Sequence, residues 1–275
     1  MPTPDLSRRL RLVKELSPLV LCLTNYVTVT DCANAALAIG ASPVMSDDPS
    51  DAAALAELAS ALVINIGTIS DRQEAVMAAA HARARSKGIP IVLDPVGAGA
   101  TPRRLQASKK FMEGAAVIRG NASEILALRG GDLSQKGVDS SALEELDVLE
   151  EAAKELAKEA KAVVAVTGET DIVSDGQKTL RIKGGHVWLT ALTGSGCLLS
   201  VLVGAYAGAS QDAPFDAAAA AMTHLKRAGE RAAAALPAPG ALESLSARAL
   251  GSYKSLLFDS IAAITPEDLA YEDLA

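Results

Sequence analysis

The sequence predicts an α/β fold in which helices cover a mainly parallel sheet that ends in an antiparallel edge. Three observations carry this. Short runs rich in β-formers, 19–23, 43–45, 62–66, 89–93, 116–118 and 162–166, alternate with longer stretches of helical pattern. Several of those stretches open on an Asp or Ser cap, and their lengths suit right-handed crossovers between parallel strands. Between Thr170 and Thr190 the pattern changes to strands around an Asp175-Gly176 turn, the mark of a hairpin and so of an antiparallel edge. With 275 residues, 49% of them hydrophobic and 21% charged, one domain over 1–275 is expected.

Taken in order, Leu19–Leu23 is apolar throughout, as a strand buried on both faces must be. Pro43–Met45 is a second, shorter strand, and 51–60 a helix. Leu62–Ile66 repeats the buried-strand pattern before a helix over 71–87. Ile89–Leu93 and Ala116–Ile118 are strands flanking a helix over 102–113, and Asn121 is placed to cap the helix that follows. A helix over 141–161 leads into Ala162–Val166 and then the hairpin. From Leu198 to Tyr206 an apolar run reads as a buried helix. The remainder is helical: an Ala-rich stretch from Phe215 to Ala235, a break at Pro237-Ala238-Pro239-Gly240, and a last helix from Ala241 to Ile261. Alanine on successive turns permits close helix contact, so this region reads as packing within or between subunits.

The formal net charge of −7 argues against nucleic acid or an anionic membrane as a general partner, since both demand basic patches. The uncharged stretch from Gly184 to Gln211 is broken by Gly, Ser and Thr, too often for a membrane helix. The N-terminal residues resemble neither a secretory signal nor a transit peptide, so cytoplasmic residence is expected. Cys22, Cys32 and Cys197 are scattered and odd in number, which fits neither a disulfide framework nor a zinc site; Cys22 and Cys32 read as packing. His81, His186 and His224 lack metal-ligand spacing.

The most informative segment is Leu192-Thr193-Gly194-Ser195-Gly196-Cys197, a glycine-spaced turn opening into an apolar helix. Without side chains at Gly194 and Gly196, backbone N–H groups can converge on one point, at which the helix also aims its positive end. Such a point suits an anion, and a thiol at Cys197 would lie beside it in a field that lowers its pKa. The same residues also suit a plain strand-to-helix turn with a small cysteine.

Ligands of open parallel sheets gather at the carboxyl ends of strands, so the polar residues there carry most weight. Asp94, before a glycine-loosened loop, is a candidate for magnesium. Glu124, three residues after Asn121, suits either a capping box or a metal or metal-water role. Arg119 has five donors that suit phosphate, or a surface ion pair. Thr167-Gly168 offers a hydroxyl and a close backbone approach to a nucleotide. Asn25 and Met45 offer an amide and a thioether to a small, polarisable substrate, and Gly67 would let a ligand lie near the backbone. No P-loop, kinase glycine-rich loop with paired lysine or GxSxG elbow is present.

Together these motifs resemble hydroxyethylthiazole kinases of the ribokinase-like superfamily. The match runs from Thr24-Asn25-Tyr26-Val27-Thr28 through Gly40-Ala41-Ser42-Pro43-Val44-Met45, Asn65-Ile66-Gly67-Thr68, Leu93-Asp94-Pro95-Val96-Gly97, Ile118-Arg119-Gly120-Asn121-Ala122-Ser123-Glu124 and Val166-Thr167-Gly168-Glu169 to Gly194-Ser195-Gly196-Cys197. The segment from Gly130 to Glu150 and the C-terminal helices match more loosely. The resemblance implies a three-layer α/β/α fold with no lid insertion and MgATP-dependent phosphorylation of the primary alcohol of 4-methyl-5-(2-hydroxyethyl)thiazole in thiamine salvage. Under it Asn25, Met45, Gly67 and Gly194 fall to the substrate, Arg119 and Thr167 to ATP, Asp94 and Glu124 to Mg2+, and Cys197 to the catalytic position, usually Asp in the wider superfamily. It further implies a homotrimer whose active sites lie between subunits. A related dehydratase of damaged nicotinamide cofactors would be expected to keep that Asp. A hydroxymethylpyrimidine kinase shares the fold, but Met45 and Asn25 in their matched contexts favour the thiazole. Retention of Asp94, Glu124 and Cys197 together speaks against a regulatory nucleotide-binding subunit without turnover.

Overall fold

The computed structural model describes residues 5–130, 142–236 and 249–270. In chain order the elements are α1 (Leu6–Leu16), β1 (Leu19–Leu23), α2 (Val29–Ile39), β2 (Ser42–Val44), α3 (Pro49–Leu58), β3 (Ala61–Asn65), α4 (Asp71–Lys87), β4 (Ile91–Asp94), α5 (Pro102–Met112), β5 (Val117–Asn121), α6 (Ala122–Leu128), α7 (Ala142–Ala160), β6 (Val163–Thr167), β7 (Asp171–Ser174), β8 (Thr179–Ile182), α8 (Trp188–Ala191), α9 (Ser195–Ala209), α10 (Pro214–Ala234) and α11 (Leu250–Ala263). The strands form one eight-stranded sheet in the order β2-β1-β3-β4-β5-β6-β7-β8. The first six are parallel; β7 and β8 run antiparallel, as the hairpin signal predicts.

The apolar strands are buried on both faces, which divides the core in two. On one face the sheet packs with α1, α2, α9, α10 and α11 around Val20, Val63, Val92 and Tyr206; on the other, with α3 to α7 around Leu21, Leu62, Ile64 and Phe111. The chain reverses direction across the sheet between β1 and β3, so their carboxyl ends open a crevice at a topological switch point. Asn25 follows β1, and Asn65 ends β3, on the rim of that crevice.

Most expected boundaries shift by one or two residues, for local reasons. α3 starts at Pro49 because Asp48, not a later residue, is its cap, accepting the Ser50 and Asp51 N–H groups. The hairpin pattern does not extend to Thr190: Trp188–Ala191 is a helical turn that buries Trp188 against Tyr253. Two helices not assigned from the sequence are α1, capped by Asp5 with Leu6, Leu10 and Val13 in the core, and α2, whose buried stripe is Cys32, Ala35, Ala36 and Ile39. The Pro237–Gly240 break and the expected helix start at Ala241 lie outside the described residues; α11 is described from Leu250. Among the described residues, no helix is long and apolar enough to cross a membrane.

Candidate active site

Gly194 initiates α9 in the left-handed region at φ +89, and a Cβ there would stand 2.4 Å from Thr28 Cγ2, so only glycine permits this entry. No side chain caps the helix. The first-turn N–H groups of Gly196 and Cys197 lack i−4 partners within α9. Gly196 packs flat on the Arg119 guanidinium: a Cβ would lie 2.8 Å from both terminal nitrogens.

The Cys197 sulfur receives a side-chain amide from each side of the switch point. Asn25 Nδ2 lies 3.2 Å from Sγ and Asn65 Nδ2 3.3 Å. Asn25 is held in this orientation because its Oδ1 accepts the N–H groups of Val27 and Thr28 and the Thr28 hydroxyl, which leaves only Nδ2 to face inward. Asn65 is held likewise, its Oδ1 accepting from Asn25 Nδ2 and from the Gly67 N–H. Asn65 Nδ2 also donates to Asp94 Oδ2 at 2.7 Å.

Asp94 is fully buried at the end of β4. Its Oδ2 accepts from Asn65 and from Ser200 Oγ at 2.8 Å and lies 3.6 Å from Arg119 Nη1, whereas Oδ1 has no partner. Burial raises its pKa to about 6 against the opposing pull of Arg119. Arg119 Nη2 donates to Thr167 Oγ1 at 2.9 Å, while its buried Nε has no partner. A continuous polar run therefore crosses the carboxyl ends of β1, β3, β4, β5 and β6: Asn25, Cys197, Asn65, Asp94, Arg119, Thr167.

Glu124 joins this run from α6. The capping box is present, with Asn121 Oδ1 accepting the Glu124 N–H and Glu124 Oε2 accepting the Asn121 N–H. Its Oε1 accepts the Gly97 N–H at 2.9 Å, fixing the loop after Asp94. Among the described residues no cluster of three or more His, Cys, Asp or Glu side chains forms a complete metal cage. A divalent ion here would take its remaining ligands from phosphate and water, as Mg2+ commonly does. The open acceptor Asp94 Oδ1 and the lone pairs left on Glu124 fit that role.

Met45 lines a neighbouring cleft of about 470 Å³ with Thr24, Tyr26, Ser46, Gln73 and Met77. Of the other expected substrate residues, Asn25 and Gly67 meet at Asn65, and Gly194 sits against Thr28. Two residues that position the site were given no role of their own from the sequence. Asn65 ends an otherwise apolar strand, a signal of the kind that marks Asp94. Ser200 stands one turn after Gly196 on the face that reaches Asp94.

The expected lowering of the Cys197 pKa is corrected. Burial, helped by the charge of Asp94, pushes the thiol above its ordinary value, and the hydrogen bonds from Thr28, Asn25 and Asn65 only partly oppose this. The resting group at neutral pH is therefore the thiol. Cys22 and Cys32 are buried as expected, with Cys32 pushed up to about 11 by burial.

Comparison with known proteins follows the same lines. The model of the hydroxyethylthiazole kinase family matches residues 10–267. A protein of Thermoanaerobacter pseudethanolicus described as hydroxyethylthiazole kinase is 42% identical over 260 residues, 94% of each chain. One of Methanocella arvoryzae with the same description is 41% identical, covering 98% of this chain and 97% of its own. Among solved structures, a hydroxyethylthiazole kinase protein from Pyrococcus horikoshii superposes with a TM-score of 0.83 at 34% identity, covering 96% of this chain and 94% of that one. A pyridoxal kinase from Staphylococcus aureus, at 16% identity and a TM-score of 0.56, shares the fold.

Proposed function

The chain belongs to the hydroxyethylthiazole kinase family, and from that premise we propose how its residues divide the work of phosphorylating 4-methyl-5-(2-hydroxyethyl)thiazole on its primary alcohol. The reaction is an ATP-dependent kinase step in thiamine salvage. The observation that carries the assignment is the polar run from Asn25 to Thr167, which crosses five strand ends and brings Cys197, Asp94 and Arg119 together.

At one end of the run, Arg119 and Thr167 hold the nucleotide phosphates; the buried Nε of Arg119 and its fork of donors support this. At the other, Asn25, Gly67 and Gly194 line the approach of the alcohol, and Met45 offers its thioether from the neighbouring cleft. Asp94 and Glu124 are the residues that would hold Mg2+, directly or through water. That ion would neutralise charge on the β- and γ-phosphates.

Transfer of a phosphoryl group passes through a loose transition state, so positioning and charge neutralisation outweigh strong base catalysis. The N–H groups of Gly196 and Cys197, unpaired within α9, would receive the moving phosphoryl oxygens. Cys197 Sγ, fixed by its amide donors, orients the alcohol, and the thiolate form accepts its proton late. With the thiol pKa raised by burial, only a minority of molecules carry that form at neutral pH.

The homotrimer with active sites between subunits is proposed as well. Tyr26, Val27 and Val29 stand exposed next to Asn25 at the cleft, an apolar rim that a neighbouring subunit would cover. The proposed location is the cytoplasm. ADP release measured with the thiazole alcohol, with a hydroxymethylpyrimidine and with neither tests the activity: strong stimulation by the thiazole alone is expected. Sedimentation of the active enzyme tests the trimer, which a fully active monomer would contradict.

A further inference from the structure

α10 presents Lys226 and Glu230, one helical turn apart, to the sheet edge that carries Thr167. β7 is antiparallel to β6 and β8 antiparallel to β7, so the chain leaves β8 on the same edge as it leaves β6. The Lys226 ammonium is buried there among main-chain oxygens. Nζ lies 2.9 Å from Glu169 O, 2.9 Å from Gly184 O, 3.3 Å from Gly168 O and 3.3 Å from Asp171 Oδ1. Asp171 Oδ1 also accepts the Gly168 N–H at 2.9 Å, and Glu230 Oε1 accepts the Gly185 N–H at 2.7 Å. The Gly185 backbone lies close against the lysine stem, where a Cβ would come within 3.1 Å of Cγ.

An ammonium enclosed by three carbonyls and a carboxylate has the surroundings of a bound alkali cation. Carbonyl oxygens of two separate segments repel one another unless positive charge lies between them. The residue they flank is Thr167, whose successor Gly168 is held through both its N–H and its carbonyl. No step of the phosphoryl transfer uses Lys226, yet its charge is buried and fully engaged, an arrangement costly to keep without a role.

We propose that Lys226 is a positioning residue for the nucleotide: a built-in cation that fixes the segment after Thr167 and the segment after β8 at the spacing ATP requires. This rests on the assignment of Arg119 and Thr167 to the nucleotide, and it predicts that the charge, not the side chain, is what ATP binding needs.

The test is ATP binding by titration calorimetry, with KM for the thiazole measured in parallel, for wild type, Lys226→Ala, Lys226→Met and Arg119→Met. ATP affinity is expected to fall about tenfold in both Lys226 variants while the thiazole KM stays within about twofold. Added ammonium or methylammonium is expected to restore Lys226→Ala, whose cage is open, and not Lys226→Met, whose thioether fills it. Wild-type ATP affinity in a Lys226→Ala protein that merely melts earlier overturns the proposal, as does an equal loss of affinity for both substrates. Should Lys226→Ala fail to fold, Lys226→Met, which keeps the stem and removes only the charge, carries the test; unchanged ATP affinity there overturns the proposal equally. Failure of the underlying site reading looks different: Arg119→Met would then retain wild-type ATP affinity.

Discussion

The Asn65 side-chain amide stands between the sulfur of Cys197, at 3.3 Å, and Asp94 Oδ2, at 2.7 Å, and so joins the acceptor side of the site to its buried carboxylate. Asn65 is almost fully buried, and its Oδ1 is occupied by Asn25 and Gly67, so the amide cannot turn to another partner. Replacing it with Leu keeps the volume and removes every one of these bonds. The expected result is a fall in kcat of about tenfold or more with a smaller change in the thiazole KM, because the sulfur loses its aim rather than the pocket its shape. Leaving Asp94 Oδ2 to Ser200 and Arg119 alone costs about 1–3 kcal/mol of stability. Steady-state kinetics and urea unfolding of the same preparation check both; unchanged kcat would remove Asn65 from the chemistry.

Cys197 gives the second prediction. Because burial raises its thiol pKa, catalysis that draws on the thiolate should accelerate as pH rises above neutrality. Cys197→Asp supplies a group already ionised at neutral pH; it is expected to hold or exceed wild-type turnover and to lose the alkaline rise. Cys197→Ala should lower turnover throughout. A pH series of kcat for the three proteins decides, and equal rates for all would exclude Cys197 from the reaction.

How far the sequence discloses this site depends on whether a signal is local. The buried strands show themselves because a parallel strand covered on both faces is apolar at every position, as Ala61–Ile64 and Ile91–Leu93 are, and a polar residue ending such a run, Asp94, is conspicuous. Asn65 ends its run in the same way, but its role depends on Cys197, 132 residues away. α1 is masked by the arginines and lysine that interleave Leu6, Leu10 and Val13, and α2 by a buried face of small residues whose periodicity is faint. The direction of the Cys197 pKa is not local at all. The sequence shows a helix start, which favours a thiolate; desolvation by the layers packed around the sulfur, visible only in the fold, pushes the thiol pKa up.

Gly196 offers a finer probe of Arg119 than removing the guanidinium, which would leave Asp94 buried beside no cation. A Cβ at residue 196 would stand 2.8 Å from both terminal nitrogens of Arg119, closer than contact allows, and the side chain cannot yield without releasing Thr167 or Asp94. Gly196→Ala suits a helix by propensity, so any loss comes from displacement of Arg119. ATP KM is expected to rise about tenfold or more with the thiazole KM little changed, the size of an overpacking strain of about 1–3 kcal/mol. Parallel kinetics for the two substrates check this, and a selective rise in the thiazole KM would reassign the contact.

His224 sets a pH dependence of stability that is separable from the active site. It is fully buried between α9 and α11, with Nε2 2.9 Å from Ile261 O and Nδ1 2.8 Å from Tyr206 Oη; the neutral ring protonated at Nε2 satisfies both, with Tyr206 donating. Burial lowers its pKa from 6.5 to about 4. As pH falls through 6.5 the unfolded chain takes up a proton that the folded chain refuses until about pH 4. Stability from this group is therefore intact above pH 6.5, declines between those values and declines no further below them, a total of about 3 kcal/mol. Asp94 and Asp171, both raised to about 6 by burial, act with the opposite sign over an overlapping range, so the net curve conceals the histidine. Subtracting the curve of a His224→Gln variant isolates it: the stability advantage of wild type over the variant should shrink by that amount from pH 7 to pH 4 in urea unfolding. A difference constant with pH would mean that the folded ring takes up its proton where the unfolded one does, and an advantage that grows toward pH 4 would mean that the folded protein holds the imidazolium.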